Sequence, residues 1–167
     1  MKQGSLRQKQ YRKLVLLDIE NLVGSGMVST EAAVHVVRSL DQLCPIDNRD
    51  ILFVGSHKGN FASCSLVAGM LHGVPCFQNG PDGAELALLR RAVEVTPAAY
   101  GSDVYPISEC VIGSGDHKFV EHALLQRLRG NIVTVVARPK SLSLKLAEVA
   151  HRVIYLDGVE IESRKAA

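Results

Sequence analysis

Short apolar runs alternate with amphipathic stretches along most of this chain. The runs are unbroken and rich in Val, Ile and Leu, as expected of strands that are covered on both faces. The stretches between them repeat apolar residues three or four positions apart, which is the spacing of a helix with one buried face. Predicted strands cover residues 14–17, 51–54, 74–77, 110–112, 132–137 and 153–156, and predicted helices begin near Ser29 or Thr30, Phe61, Ala84, His117 and Ser141.

Strands that alternate regularly with helices predict parallel βαβ units. The expected fold class is therefore α/β, a three-layer αβα sandwich around a doubly wound, mostly parallel sheet of the Rossmann-like type. A chain of 167 residues is long enough for one such domain and too short for two comfortable ones. We assign the domain to residues 13–157, a basic, flexible tail to 1–12 and a polar tail to 158–167. Residues 96–106 form an insertion of small residues with no assigned chemistry.

Composition narrows the classes of function. A net charge of +2 provides no global basic field for nucleic acid, and 5% aromatic residues without Trp argue against a binder built on stacking. The four cysteines are widely spaced and lack any CxxC pair, as expected of reduced thiols rather than of disulfides or a zinc site. No apolar stretch reaches transmembrane length. We therefore expect a cytoplasmic protein with no membrane partner, and the oligomeric state stays open, with a homo-oligomer among the alternatives.

Two carboxylates follow strands that we expect to be neighbours. Asp18 comes directly after the first strand, and Asp116 follows the fourth. In the usual doubly wound order these strands lie side by side at the switch point, about 5 Å apart. Glu85, one turn into a helix, approaches the same edge. Hard oxygen ligands suit Mg²⁺ or Mn²⁺, which can orient a water and stabilise a phosphodiester under attack. Taken alone, Asp116 is more typical of a helix cap than of a functional acid.

Three motifs and two closing elements follow one another along the chain. Residues 14–21 read LVLLDIEN, residues 83–88 read GAELAL and residues 112–119 read IGSGDHKF, while 141–144 and 153–156 flank the last helix. Together they resemble the NYN family of PIN-like ribonucleases, whose third motif is Ser-Gly-Asp-x-Asp-Phe, and the resemblance covers about residues 13–156. It implies a PIN-like fold and a metal-dependent endoribonuclease. It also implies acidic metal-site positions at Asp18, Glu85 and Asp116, with Asn21 supporting the site.

Lys118 is the main departure from that pattern, since the family often has a second Asp here. A protonated lysine cannot ligate a metal; its charge would instead reduce the negative charge of the site and could contact a phosphate. Glu20 is a candidate substitute, because it alternates with Asp18 on the same side of an extended chain. Glu121 reads as a solvated helix residue. Asp82 competes with Glu85 for the role of third acid.

The expected function is hydrolysis of RNA phosphodiester bonds, with Mg²⁺ or Mn²⁺ as cofactor and RNA as partner. The predicted catalytic and metal-binding residues are Asp18, Glu85 and Asp116. The alternative, favoured by Lys118, is an NYN-like RNA-binding or regulatory module with little or no activity, and an enzyme acting on a small nucleotide is more distant. His57 and Asn60 are more typical of a solvated loop than of a phosphate site, although functional groups do concentrate in such loops. The predicted substrate-binding residues are Asn21, Ser114, Lys118, His57 and Asn60.

Overall fold

Six strands form one sheet in the computed structural model, which describes residues 11–95 and 106–156. The first five strands each contain one of the predicted apolar runs, and the sixth strand ends at Tyr155, one residue before its predicted end. The tails predicted at 1–12 and 158–167 and the 96–106 insertion lie outside the described residues, apart from Tyr11, Arg12 and Pro106. The strands are β1 (Arg12–Asp18), β2 (Ile51–Ser56), β3 (Val74–Phe77), β4 (Ile107–Gly113), β5 (Ile132–Ala137) and β6 (Arg152–Tyr155).

The sheet is entirely parallel, with the strand order β3-β2-β1-β4-β5-β6. β1 is central and pairs with β2 on one side and β4 on the other, so the winding of the chain reverses there. This confirms the predicted fold class and the predicted contact between the first and fourth strands. β3 and β6, each four residues long, are the two edges. β1 begins at Arg12, two residues before the predicted start, because Arg12 and Lys13 already pair with β4.

Helices cover both faces of the sheet and enclose two separate cores. Side chains alternate along β1, so that Val15 and Leu17 enter one core while Leu14 and Leu16 enter the other. Three helices close each core. They are α1 (Ile19–Val23), α2 (Thr30–Leu43) and α3 (Phe61–Met70) on the first, and α4 (Gly83–Val95), α5 (Val120–Leu128) and α6 (Leu144–Val149) on the second.

The helices differ from the sequence-based expectation at three places. The expectation missed α1, because its five residues are too few to display a helical repeat. α5 begins at Val120 rather than near His117, since residues 117–119 form a 3₁₀ turn. The last helix begins at Leu144 rather than Ser141, since residues 139–141 form a 3₁₀ turn and Leu142 is extended. Along the described residues, no helix is long and apolar enough to span a bilayer.

Gly55→Ala tests how closely α4 packs on β2. A Cβ at Gly55 would lie 2.8 Å from the Ala84 carbonyl oxygen and would also overlap Leu88, so the helix must shift. We expect the free energy of unfolding, measured with urea, to fall by about 1–3 kcal/mol. Gly69→Ala is the matched control, because nothing lies within 4 Å of its Cβ. Its higher helix propensity should raise stability by up to about 1 kcal/mol. Equal losses in both variants would contradict this packing.

Candidate active site

Asp18 is the buried centre of the carboxyl edge of the sheet. It is the last residue of β1, only 1% of its surface is exposed, and it caps α1. One carboxylate oxygen accepts the N–H of Asn21 at 3.1 Å, and the other accepts the hydroxyl of Ser114 at 3.2 Å. Asn21 and Ser114, which the sequence analysis assigned to substrate binding, therefore hold this acid in place.

The loop after β4 is fixed to α1 by a second set of hydrogen bonds. The Asn21 side-chain oxygen accepts the N–H of Gly115 at 2.9 Å, and the Ser114 hydroxyl oxygen accepts the N–H of Asp116 at 3.2 Å. On the other side, the N–H of Ser143 donates to the Gly115 carbonyl at 2.8 Å. A Cβ at Gly115 would overlap the backbone of the segment before α6, so glycine is required for this close approach.

Asp116 lies at the start of the 3₁₀ turn His117–Phe119, which leads into α5. Its carboxylate accepts the N–H of Lys118 at 2.9 Å and lies 3.2 Å from the Nδ1 atom of His117. The side chain is 22% exposed, in contrast to the buried Asp18. The residue therefore caps its turn as predicted, and its carboxylate still reaches solvent.

The acids affect one another's ionisation. Burial is the main cause that raises the pKa of Asp18 from 3.8 to about 7, and the negative charges of Glu85 and Glu20 add to it. The hydrogen bonds from Asn21 and Ser114 oppose this rise. Burial also raises the pKa of the half-buried Glu85, and the charge of Asp116 acts in the same direction.

Asp82 and Lys118 form an ion pair beside these acids. The charge of Lys118 therefore interacts first with Asp82, and it also lowers the pKa of Glu85. Between the two candidates for third acid, Glu85 is the one whose charge acts on Asp18, whereas Asp82 is neutralised by its partner. These charge interactions favour Glu85 as the third acid.

Glu20 does not extend the acid group as expected. The expectation of an extended chain after Asp18 was wrong, because α1 begins at Ile19. Glu20 turns instead towards the end of β2, where its Oε1 atom accepts hydrogen bonds from Ser56, His57 and Asn60 at 3.0, 2.6 and 2.8 Å. The signals for this helix are the Asp18 cap and Gly24, a C-cap with a φ of 80°.

His57 and Asn60, the two substrate-binding residues predicted after β2, differ in how far their side chains are free to bind a substrate. Asn60 is buried; its amide oxygen accepts the N–H of Val28, and its amide nitrogen donates to Glu20 and to the Gly26 carbonyl. These structural contacts occupy the amide. His57 is exposed and caps the following turn by accepting the N–H of Gly59 at 3.1 Å. Hydrogen bonds to Glu20 connect the loop after β2 to α1. Neither His57 nor Asn60 contacts Asp18, Glu85 or Asp116 in the hydrogen bonds of the described residues.

Arg138 is a cation at this edge that the sequence analysis did not single out. It follows β5 directly, and its guanidinium lies over Gly24, at the end of α1 opposite Asp18. A side chain at Gly24 would overlap the guanidinium. The five residues of α1 span about 7–8 Å, so the length of this short helix separates Arg138 from Asp18. The signal that could have found it is its place directly after a strand that neighbours β4.

The donor set at this edge consists mainly of carboxylate oxygens, the ligand type that divalent ions such as Mg²⁺ prefer. Within residues 11–95 and 106–156, no three His, Cys, Asp or Glu side chains are grouped closely enough to hold a metal. Magnesium, however, usually keeps several waters and binds through one or two carboxylates together with substrate phosphates. Asp18, Glu85 and Asp116 supply hard oxygen donors whose mutual repulsion a cation would relieve. The residues fit a hydrated ion better than a closed protein cage.

Comparisons with known proteins bear on the fold alone. No family model matches the chain, and no curated protein matches its sequence. The chain is similar to the crystal structure of a protein of unknown function from Vibrio parahaemolyticus, with 13% identity and a TM-score of 0.60. That match covers 93% of this chain and 98% of the other. The resemblance to the NYN family therefore stays a prediction based on motifs.

The stability of the metal-free protein should fall as the pH rises from about 4 to about 7. Because the pKa of Asp18 is raised from 3.8 to about 7, the folded state keeps a proton that the unfolded state has released. Each pH unit in this window then weakens folding by up to about 1.4 kcal/mol. Asp18→Asn removes the titration and keeps an oxygen for the Asn21 N–H. Urea unfolding in EDTA should give the variant a flatter pH profile, and parallel profiles would contradict the prediction.

Proposed function

We propose that this protein is a divalent-metal-dependent ribonuclease that hydrolyses RNA phosphodiester bonds at the carboxyl edge of its sheet. The observation that carries the proposal is the buried Asp18 carboxylate, whose pKa the negative charge of Glu85 helps to raise, as the charge of Asp116 helps to raise the pKa of Glu85. A buried acid beside other acids weakens a fold, so the arrangement is better explained by a cation-binding site than by capping alone.

The three acids have different parts in this proposal. Asp18 is held by two hydrogen bonds and shielded from solvent, so it provides a fixed anchor. Glu85 and Asp116 are partly exposed and can accept a proton from a water that attacks phosphorus. These three residues would hold Mg²⁺ or Mn²⁺, which when bound supplies stabilisation for the charge that develops on the phosphate.

Two cations are candidates for contact with the RNA backbone. Lys118 would have to exchange Asp82 for a phosphate. Arg138 forms no ion pair within the described residues, and its planar fork suits phosphate oxygens. We therefore assign the main phosphate contact to Arg138. Asn21 and Ser114 act as positioning residues, because their side chains orient Asp18 and the loop after β4.

An RNA-binding module without turnover is the second candidate. It is favoured by the lack of a three-residue metal group within the described ranges and by the lysine at position 118. Both candidates are proposed to act in the cytoplasm, which the four buried and unpaired cysteines support.

Cleavage of a labelled single-stranded RNA distinguishes the two candidates. We expect wild type to cut with Mg²⁺ or Mn²⁺ and not in EDTA, and Asp18→Asn and Asp116→Asn to be slower by about 100-fold or more. Asn retains the capping ability of Asp, so the variants should stay folded, which circular dichroism would check. Glu121→Gln, an exposed change on α5, is the matched control and should leave the rate unchanged.

The outcomes separate the candidates clearly. Binding of RNA without cleavage in either metal would overturn the enzyme and leave the module. Cleavage that survives both substitutions would place the chemistry elsewhere. An increase in the melting temperature of wild type with Mg²⁺, absent in Asp18→Asn, would support the ion site independently of activity.

Arg138→Gln should weaken RNA binding uniformly across sequences and should reduce the slope of log affinity against log salt by about one. Arg138→Lys should keep most of the salt slope, because it keeps the charge. Arg129→Gln, an exposed change just after α5, is the matched control. Fluorescence anisotropy in EDTA measures binding without cleavage. Equal losses in Arg138→Gln and Arg129→Gln would mean that Arg138 has no special place in the interface.

A further inference from the structure

Two phenylalanines form a ring pair at the carboxyl edge of the sheet, where β3 lies two strands away from β1. Phe61 is the first residue of α3 and Phe77 the last of β3; their ring centroids are 5.0 Å apart, with planes inclined at 34°. The chain has four phenylalanines, and the other two, Phe53 and Phe119, are buried in the core. Phe61 is 61% exposed, so its ring offers a face to solvent that the fold does not use.

We infer that Phe61 stacks on an unpaired base of the RNA, with Phe77 supporting the ring. This deepens the proposed ribonuclease function and rests on it. Every base has a π-face, so a single exposed ring can hold single-stranded RNA with little regard to sequence. The low aromatic content argues against a protein that binds by stacking throughout. One ring pair at the same edge as a carboxylate site is compatible with this low aromatic content. The pair adds a single stacking contact to a site that acts mainly on phosphate.

Charge around the ring pair matches a phosphate backbone. Lys58, exposed and three residues before Phe61, forms no ion pair within the described part of the chain. On the other face of the sheet, the exposed Arg90 of α4 donates to the side chain of Gln78, the residue directly after Phe77. An exposed ring with cations on neighbouring segments fits a nucleotide, whose base is apolar on its face and whose phosphate is an anion.

The ring pair is continuous with the acid group through the sheet and through Glu20. Asp18 lies opposite Gly55 in β2, and the next residue, Ser56, lies opposite Phe77 in β3. Adjacent strands are about 4.8 Å apart, so the path from β1 to β3 is about 10 Å. Glu20 binds Ser56 on the same path. A base on Phe61 would therefore belong to a nucleotide near the phosphate at Asp18, not to a distant part of the RNA.

Binding in EDTA tests the stack apart from catalysis. Phe61→Ala should weaken the affinity for a labelled single-stranded RNA by about fivefold to a hundredfold, while Phe61→Tyr should keep most of it. Leu128→Ala is the matched control, because Leu128 is 86% exposed at the end of α5 and lies away from this edge. The chain contains no Trp, so Phe61→Trp introduces a single tryptophan fluorophore. Its emission should be quenched by RNA, whereas that of Leu128→Trp should not.

Three results would overturn the inference: no RNA binding by wild type, an unchanged affinity in Phe61→Ala, or equal losses in Phe61→Ala and Leu128→Ala. A changed gel-filtration volume in Phe61→Ala with unchanged RNA affinity would assign the ring pair to contact between protein chains instead. Cleavage that depends on Asp116 but not on Phe61 would leave the ribonuclease standing without the stack. Binding that depends on Phe61, without any cleavage, would support the stack and overturn the nuclease.

Discussion

The arrangement of this edge depends on one buried carboxylate and the two donors that hold it. Asp18 ends the central strand, the N–H of Asn21 reaches it from the first turn of α1, and the hydroxyl of Ser114 reaches it from the end of β4. The two donors lie far apart in sequence, so the acid is secured only after β1 and β4 have paired. The site is therefore a product of the completed fold, and no isolated βα unit could hold it.

The fold and the central acids could be predicted because they depend on local patterns and on one topological rule. Unbroken apolar runs gave the strands, and the doubly wound order brought Asp18 and Asp116 to neighbouring strands. The rest depends on contacts that no local pattern contains. Glu20 accepts a hydrogen bond from Asn60, 40 residues away, because the short helix α1 directs its side chain towards the end of β2. Lys118 pairs with Asp82 because the loop before α4 brings that acid close to it.

Charge is arranged across this edge in a definite order. Acids occupy the middle, next to the central strands, and cations without an ion pair among the described residues lie outside them, with Lys58 after β2 and Arg138 after β5. The proposed contact with an anionic polymer rests on these local charges, since the net charge of the chain is only +2. The net charge of the chain is a poor guide to the electrostatic field at this edge. That field is set by nearby charges, and the acids contribute to it as well as the cations.

The two outer strands have a consequence for self-association. β3 and β6 are only four residues long, and β3 contains Pro75, which has no N–H to donate. Short edges and edge prolines are devices that prevent one sheet from adding to another. If copies of this protein meet, their sheets are poorly suited to join into a continuous ribbon. The exposed helical surfaces would have to provide the contact.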